Sequence, residues 1–351
     1  MAGGQGERLW PLSTPTRPKQ FLPLLSGHSL LRATLERVAP LVAKHDLFVV
    51  APRCYYDLIM EELTLPSTQV ILEPEGRNTA PALALATVVL TKRDPQGVMI
   101  VLPADHFIGK VEQFQKLLKV GVKAARRYKC LVTLGVKPVH PATGYGYIRC
   151  GELVGSIEDI PLYKVEKFIE KPDRARAEAL VAEGCWLWNT GIFVWRMDVF
   201  QQALARHVPD LYAGILELEA HLESPNWESV LSQVYSRLKA ISIDYALMEK
   251  AENLLVVPAD VDWSDLGDWV SFATLFPKDT AHNAVHARHL AMETSGCIIY
   301  AEDPQRLIAT LGVQDLIVVE TKAALLIVPK MRAQEIKQLL EKFYFQQRFK
   351  K

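Results

Sequence analysis

Four short apolar runs at residues 47–50, 70–72, 98–102 and 131–136 alternate with stretches of helical periodicity. Each run is too short to be a helix and shows no polar alternation, the pattern of a strand buried on both faces. Between them, Leu31, Leu35, Val38 and Leu41 recur at helical spacing behind Ser29, which can cap the helix. An alanine-rich helix is expected at residues 81–90, capped by Asn78 or Thr79, and another at 111–128. Alternation of this kind folds as α/β, a mostly parallel mixed sheet with helices on both faces.

The texture changes after residue 144. Gly144-Tyr145-Gly146-Tyr147 and residues 163–169 look like strands framing a pocket. A helix follows at 174–183, a strand at 192–195, a helix from Ser242 to Lys250 and a strand at 254–257. From about residue 280, four apolar segments (297–300, 307–310, 316–319, 325–328) repeat with Gly or Asp turns between them. That spacing suits a small β-domain or coil of strands. A helix at 332–349, with Ile336, Leu339, Leu340 and Phe343 on one face, closes the chain. The expected division is a catalytic domain over 1–280 and a small β-domain over 281–351. The latter is expected to pack against the sheet domain or a second subunit, the chain forming a homodimer.

The 351 residues carry 40 basic and 40 acidic side chains. This balance argues against nucleic acid or an anionic membrane surface as partner, since both favour a basic excess. The basic cluster Arg348, Lys350 and Lys351 reads as a solvated tail. Five scattered cysteines, never spaced C-x-x-C, suit a reducing compartment, and the longest apolar run is too short to span a bilayer. A cytoplasmic protein is expected. His282, His286 and His289 are loosely metal-like in spacing, but no cysteine or carboxylate pair joins them.

Polar clusters fall at strand ends, where open α/β sheets bind ligands: Glu73, Asp105, Glu170-Lys171 and residues 262–265. Upstream of the first strand, Gly3, Gly4 and Gly6 lie within four positions, followed by Arg8 and Lys19. Close-set glycines leave N–H groups open and permit positive φ, so such a loop can wrap phosphates. Arg8 would add a flat fork of donors and Lys19 a point charge. By itself this is also the pattern of an ordinary tight turn. Asp105 and Asp265 offer hard oxygens of the kind Mg²⁺ takes, and each could equally cap a helix.

The longer pattern G-G-x-G-x-R-L-x-P-L-S, followed by P-K, resembles the opening signature of the nucleotide-sugar pyrophosphorylases. Trp10 and Lys19-Gln20-Phe21 resemble their mannose-1-phosphate guanylyltransferase branch, as does E-P-E-G-R-N-T-A-P. Further matching motifs at 102–106, 144–147, 170–172, 188–191, 242–245 and 263–267 keep the family's order. The resemblance implies a Rossmann-like nucleotide-diphospho-sugar transferase fold and the reaction of GTP with mannose 1-phosphate to give GDP-mannose and pyrophosphate.

It implies roles too. Gly3, Gly4, Gly6, Glu73, Arg77 and Asn78 would bind nucleotide. Arg8 and Lys19 would hold the departing pyrophosphate, and Lys171 would reach the sugar's phosphate. Glu170, Tyr145, Gly146 and Asn189 would line the sugar pocket. L-P-A-D-H and W-S-D-L-G resemble the family's two metal motifs, so Asp105 and Asp265 would hold Mg²⁺. Asp268 stands where the family usually has serine. In relatives a buried strand precedes the glycine loop, so a hydrophobic strand is expected to be missing upstream of Met1. Two other readings are another sugar-1-phosphate nucleotidyltransferase, using dTTP, UTP or ATP with glucose 1-phosphate, and a non-catalytic nucleotide-sugar-binding subunit.

Overall fold

The computed structural model describes residues 1–24 and 27–348. Phe349, Lys350 and Lys351, the end of the expected last helix and tail, lie outside the described residues. In chain order come α1 (Leu30–Val38), β1 (Val49–Pro52), α2 (Tyr56–Glu62), β2 (Val70–Glu73), α3 (Thr79–Thr91) and β3 (Val98–Val101). Then follow β4 (Phe107–Ile108), α4 (Val111–Tyr128), β5 (Leu131–Val136), β6 (Tyr147–Ile157), β7 (Ile160–Ile169), α5 (Arg174–Glu183) and β8 (Trp186–Arg196). Next are α6 (Met197–His207), α7 (Pro209–His221), α8 (Trp227–Arg237), β9 (Leu254–Ala259), β10 (Trp263–Ser264) and α9 (Trp269–Phe272). The last elements are β11 (Ala284–His286), β12 (Arg288–Met292), β13 (Ile298–Ala301), β14 (Leu307–Leu311), β15 (Leu316–Glu320), β16 (Leu325–Pro329) and α10 (Ile336–Arg348).

Packing gathers these elements into two compact units, neither continuous in sequence. The first comprises Met1–Gly3, Thr34–Ala104 and Ile108–Trp263; the second comprises Gly4–Ala33, Asp105–Phe107 and Ser264–Lys351.

In the first unit, six strands lie in the order β3-β8-β5-β9-β7-β6, and β1 pairs with β2 in a separate parallel ladder. The expected mixed sheet is present, with one correction. Only β5–β9 is a parallel ladder among the six, because β8 and β7 run against their neighbours. The β6–β7 hairpin turns at Glu158 and Asp159, which have φ of 52° and 63°. That is the twist a two-residue hairpin turn demands, made here without the usual Asn-Gly. Main-chain bonds from the chain's first residues reach both sheets: Ala2 N donates to Val50 O, Met1 N to Leu102 O, and Met1 O accepts from Ala104 N.

Strand alternation explains the two-sided core. Leu131, Leu254 and Val256 face a layer containing α3, α6, α7 and α8, whereas Val132, Leu134, Leu255 and Val257 face α4 and α5. Helix α3 is buried from Ala80 to Val88, as an apolar-all-round helix must be. Helix α4 instead buries one stripe, including Phe114, Leu117, Leu118, Ala124 and Ala125. Helices α6 to α8 were not expected, although Leu211, Ile215 and Leu218 of α7 are buried at helical spacing. The segment expected as a helix from Ser242 forms a π-helical turn, Asp244–Met248.

In the second unit the expected repeating strands appear as the sheet β11-β13-β15-β16 and the ladder β12–β14. Ile298, Tyr300, Ile317, Val319 and Ile336 join Leu9, Leu30 and Trp269 in one core. Cys297, Ile299 and Val318 point to a smaller cluster on the other side. His286 stacks on Tyr300 with centroids 5.0 Å apart, and His289 Nε2 lies 2.8 Å from Thr310 Oγ1. Among the described residues no group of three or more His, Cys, Asp or Glu side chains is arranged to hold a metal.

Candidate functional site

The expected site residues fall into two constellations, one in each unit. In the second unit the glycine loop turns at Gly6, whose φ is 64°. A Cβ there would stand 2.5 Å from Lys19 Cβ, so the residue must be glycine on two counts. Ser13 Oγ donates to Gly6 O at 2.6 Å and fixes the turn. Lys19 is thereby held close under the loop and is only 3% exposed.

Its ammonium joins both expected metal motifs. Lys19 Nζ lies 2.7 Å from Asp105 Oδ2 and donates to the main-chain oxygen of Asp265 at 2.6 Å. Burial alone would raise the Asp105 carboxyl, but Lys19, then His106, hold it below its ordinary value. Asp105 is therefore a ready anion. It is not a helix cap, since α4 is preceded by Lys110. Asp265 Oδ1 accepts from Gly267 N at 2.9 Å, and Leu266 between them has φ of 46°. The side chains of Asp105 and Asp265 offer hard oxygens, the donor type that fits a small divalent cation.

Arg8 Nη1 donates to Gln334 Oε1 at 2.6 Å, and Gln334 Nε2 donates to Asp268 Oδ2. Asp268 Oδ1 accepts from Val270 N and Ser271 N, closing a capping box on α9. The acidic residue at this unusual position thus caps a helix and, through Gln334, anchors Arg8. Sequence reasoning missed Gln334, for which no local signal exists.

In the first unit, β2 ends at Glu73, which is 3% exposed and accepts from Tyr235 Oη at 2.9 Å. A Cβ on Gly3 would come within 3.6 Å of Glu73 Oε2. Arg77 gives Nη1 to Leu238 O at 2.6 Å and Nη2 to Glu75 Oε1 at 2.7 Å. Asn78, with φ of 68°, caps α3 by accepting from Thr79 N. Thr79 Oγ1 in turn accepts from Ile243 N at 2.8 Å. The R-N-T motif is therefore stitched to the turn that carries Asp244.

Burial pushes Glu73 up to about 7, against the hydrogen bond from Tyr235. A carboxyl raised on folding loses stability as pH climbs from its unfolded to its folded pKa. The folded chain is thus expected to weaken between the ordinary glutamate range and about 7. Glu73→Gln should flatten that slope, gaining roughly 3 kcal/mol relative to the parent above neutrality. Urea midpoints across pH 4–8 check this; parallel curves for both proteins would refute it.

Nearby in the same unit, Gly146 O accepts from Asn189 N at 2.8 Å and Tyr145 O from Lys171 N at 3.2 Å. The Tyr145 ring packs edge-on to Trp188 and Trp263. Lys171, at φ of 47° and 53% exposed, reaches Glu170 Oε1 at 3.0 Å. A Cβ on Gly146 would stand 2.5 Å from Glu170 Oε2 and 3.2 Å from Asn189 Cβ. Tyr145, Gly146, Glu170, Lys171 and Asn189 are therefore brought together.

Comparison with known proteins divides the chain along its sequence instead, and all the expected site residues of both constellations fall within one match. Residues 1–282 match the nucleotidyl transferase family and residues 287–343 the MannoseP isomerase/GMP-like β-helix domain. The mannose-1-phosphate guanylyltransferase of Klebsiella pneumoniae is 37% identical over 345 residues, covering 97% of this chain and 72% of the relative. The xanthan biosynthesis protein XanB of Xanthomonas campestris is 38% identical over 344 residues, covering 97% and 71%. A crystal structure described as mannose-1-phosphate geranyltransferase from Thermus thermophilus superposes with a TM-score of 0.86 at 36% identity, covering 98% of both chains.

Proposed function

The chain belongs to the nucleotidyl transferase family, and we propose that it transfers GMP from GTP to mannose 1-phosphate, giving GDP-mannose and pyrophosphate. The observation that carries this reading is the match along 97% of the chain to a mannose-1-phosphate guanylyltransferase. The sugar phosphate oxygen attacks the α-phosphorus in line, so no protein nucleophile is needed and catalysis is positioning plus charge neutralisation.

Arg8, Lys19 and the amides of the glycine loop hold the departing pyrophosphate. Gly3, Glu73, Arg77 and Asn78 serve the nucleoside side, where the start of α3 presents the positive end of its dipole. Lys171, with its side chain 53% exposed, orients the attacking phosphate, while Glu170, Asn189, Tyr145 and Gly146 form the sugar pocket. The family generally uses a divalent metal; here Asp105 and Asp265 would hold Mg²⁺, which supplies neutralising charge to the phosphates.

The reading carries a catalytic domain ending near residue 280 and a cytoplasmic setting. No helix among the described residues is long and apolar enough to cross a membrane. It also carries a homodimer, supported by the exposed row Leu290, Met292, Leu307 and Leu311 on the paired strands β12 and β14.

A pyrophosphate-release assay crossing four nucleoside triphosphates with mannose and glucose 1-phosphates tests the assignment. GTP with mannose 1-phosphate should be preferred; preference for dTTP or UTP with glucose 1-phosphate would overturn it. In the same assay Lys171→Ala should lower kcat/KM for the sugar phosphate by about 10²-fold, the scale of one preorganised charge. Values within threefold of the parent would remove Lys171 from the mechanism.

A further inference from the structure

The sugar-side constellation contains a carboxylate that the reaction has not yet used. Asp244, at the head of the π-helical turn, accepts from Asn189 Nδ2 at 2.8 Å. On the other side of the same carboxamide, Asn189 Oδ1 accepts from Gly191 N at 3.2 Å and lies 3.2 Å from Thr133 Oγ1, whose one hydrogen also faces Ile192 O at 3.1 Å. That oxygen faces Gly191 and Thr133, and the nitrogen keeps one hydrogen after serving Asp244. Asn189 therefore presents that remaining N–H, a donor, to a ligand.

A second observation points to what it would meet. Glu170 is 6% exposed, and its Oε2 is buried with no hydrogen-bond partner, while Oε1 takes Lys171. A buried carboxylate oxygen left open is costly unless something fills it. It lies close against Gly146, where a Cβ would stand 2.5 Å from it, and Asn189 Cβ is 3.2 Å from the same point.

Resting on the guanylyltransferase reading, we infer that Asp244 is a positioning residue for the sugar. It fixes Asn189 as a hydrogen-bond donor next to the open acceptor Glu170 Oε2, a pairing that takes adjacent hydroxyls of the sugar 1-phosphate. One hydroxyl donates to Glu170, and its neighbour accepts from Asn189. Asp244 itself touches Asn189 and acts through it.

Charge in the cluster gives the inference a readout beyond structure. Around Glu170 stand Asp244, Glu249, whose Oε1 accepts from Glu170 N, and Lys171; Tyr245 Oη donates to Glu170 O. Burial, then Asp244, push Glu170 up to about 7, and Lys171 opposes them. Ionised Glu170 is the acceptor, so kcat/KM for the sugar phosphate should fall as pH falls through that value.

Steady-state pyrophosphate release, with mannose 1-phosphate varied at saturating GTP across the pH range, tests the role. Asp244→Leu removes the partner of Asn189 and should raise KM for mannose 1-phosphate by about 30-fold or more, the scale of a hydrogen bond to a charged group. Its KM for GTP should stay within about threefold on this reading. Asp244→Asn keeps an acceptor for Asn189 and should fold even if the leucine variant does not. It should restore most of the sugar affinity but move the acid limb of kcat/KM down by on the order of one pH unit, because a like charge has gone. A leucine variant whose KM for the sugar phosphate is unchanged would overturn the inference, as would an asparagine variant whose acid limb does not move. A parent enzyme inactive with GTP and mannose 1-phosphate would instead refute the guanylyltransferase reading, so the two failures are distinct.

Discussion

Lys19→Met is expected to lower kcat by about 10²–10³-fold, and to do so together with a loss of stability. The ammonium touches Asp105 and the main chain of Asp265, so its removal uncouples both motifs at once. Lys19 is 4% and Asp105 29% exposed at the side chain. Breaking such a largely buried pair leaves one charge uncompensated, at a cost of roughly 3 kcal/mol. The pH dependence has a definite sign. In the parent, Asp105 is held below its ordinary value, so its contribution is present above the unfolded pKa and is lost as pH falls through the folded one. Without Lys19, burial is opposed mainly by His106, and the carboxyl rises. The gap between parent and variant should therefore be widest near neutrality and narrow in acid. Urea titrations at several pH values, paired with kcat at saturating substrates, give the answer. Equal stability across that range, or turnover within threefold, would show that the Lys19–Asp105 pair does not do what its geometry suggests.

Some of this arrangement was legible in the sequence because its signals are local. The buried strands β5 and β9 read as largely apolar runs, and α4 as a stripe at helical spacing, since each pattern is dictated by what one element must bury. Gly6 was legible as a turn glycine, but the 2.5 Å approach to Lys19 was not, because it depends on where a residue thirteen positions later returns. Strand direction was the main correction. The reversal of β7 depends on a turn at Glu158-Asp159, which lacks the glycine that usually marks a two-residue hairpin turn. Strand β8 was recognised only over its apolar end, as Trp186 to Gly191 carry the polar Asn189 and Thr190 through the sheet. Their polar atoms are satisfied by Thr133, Asp244 and Leu134 O, partners more than fifty residues away. The same distance hid Asp244 and Tyr235: each is assigned by a tertiary hydrogen bond to a residue the sequence had already singled out.

Asp265→Asn is expected to lower divalent-cation-dependent turnover by about 10³-fold or more, the scale of losing a cation that neutralises phosphate charge. The substitution is close to isosteric and keeps Oδ1, so the bond from Gly267 N should survive, and with it the turn in which Leu266 holds a φ of 46°. The contact from Lys19 survives too, because it is made to the main-chain oxygen. Stability should consequently stay within about 1 kcal/mol of the parent. That separates Asp265 from Asp105, whose carboxylate is itself paired with Lys19; Asp105→Asn should lose stability as well as cation affinity. Titration calorimetry with Mg²⁺, in the presence of GTP, reads cation binding independently of turnover. A stable Asp265→Asn protein that binds Mg²⁺ weakly and turns over slowly is the expected outcome. Undiminished binding with parent-like turnover would mean that the carboxylate serves only the turn, and that the cation's oxygens come from elsewhere.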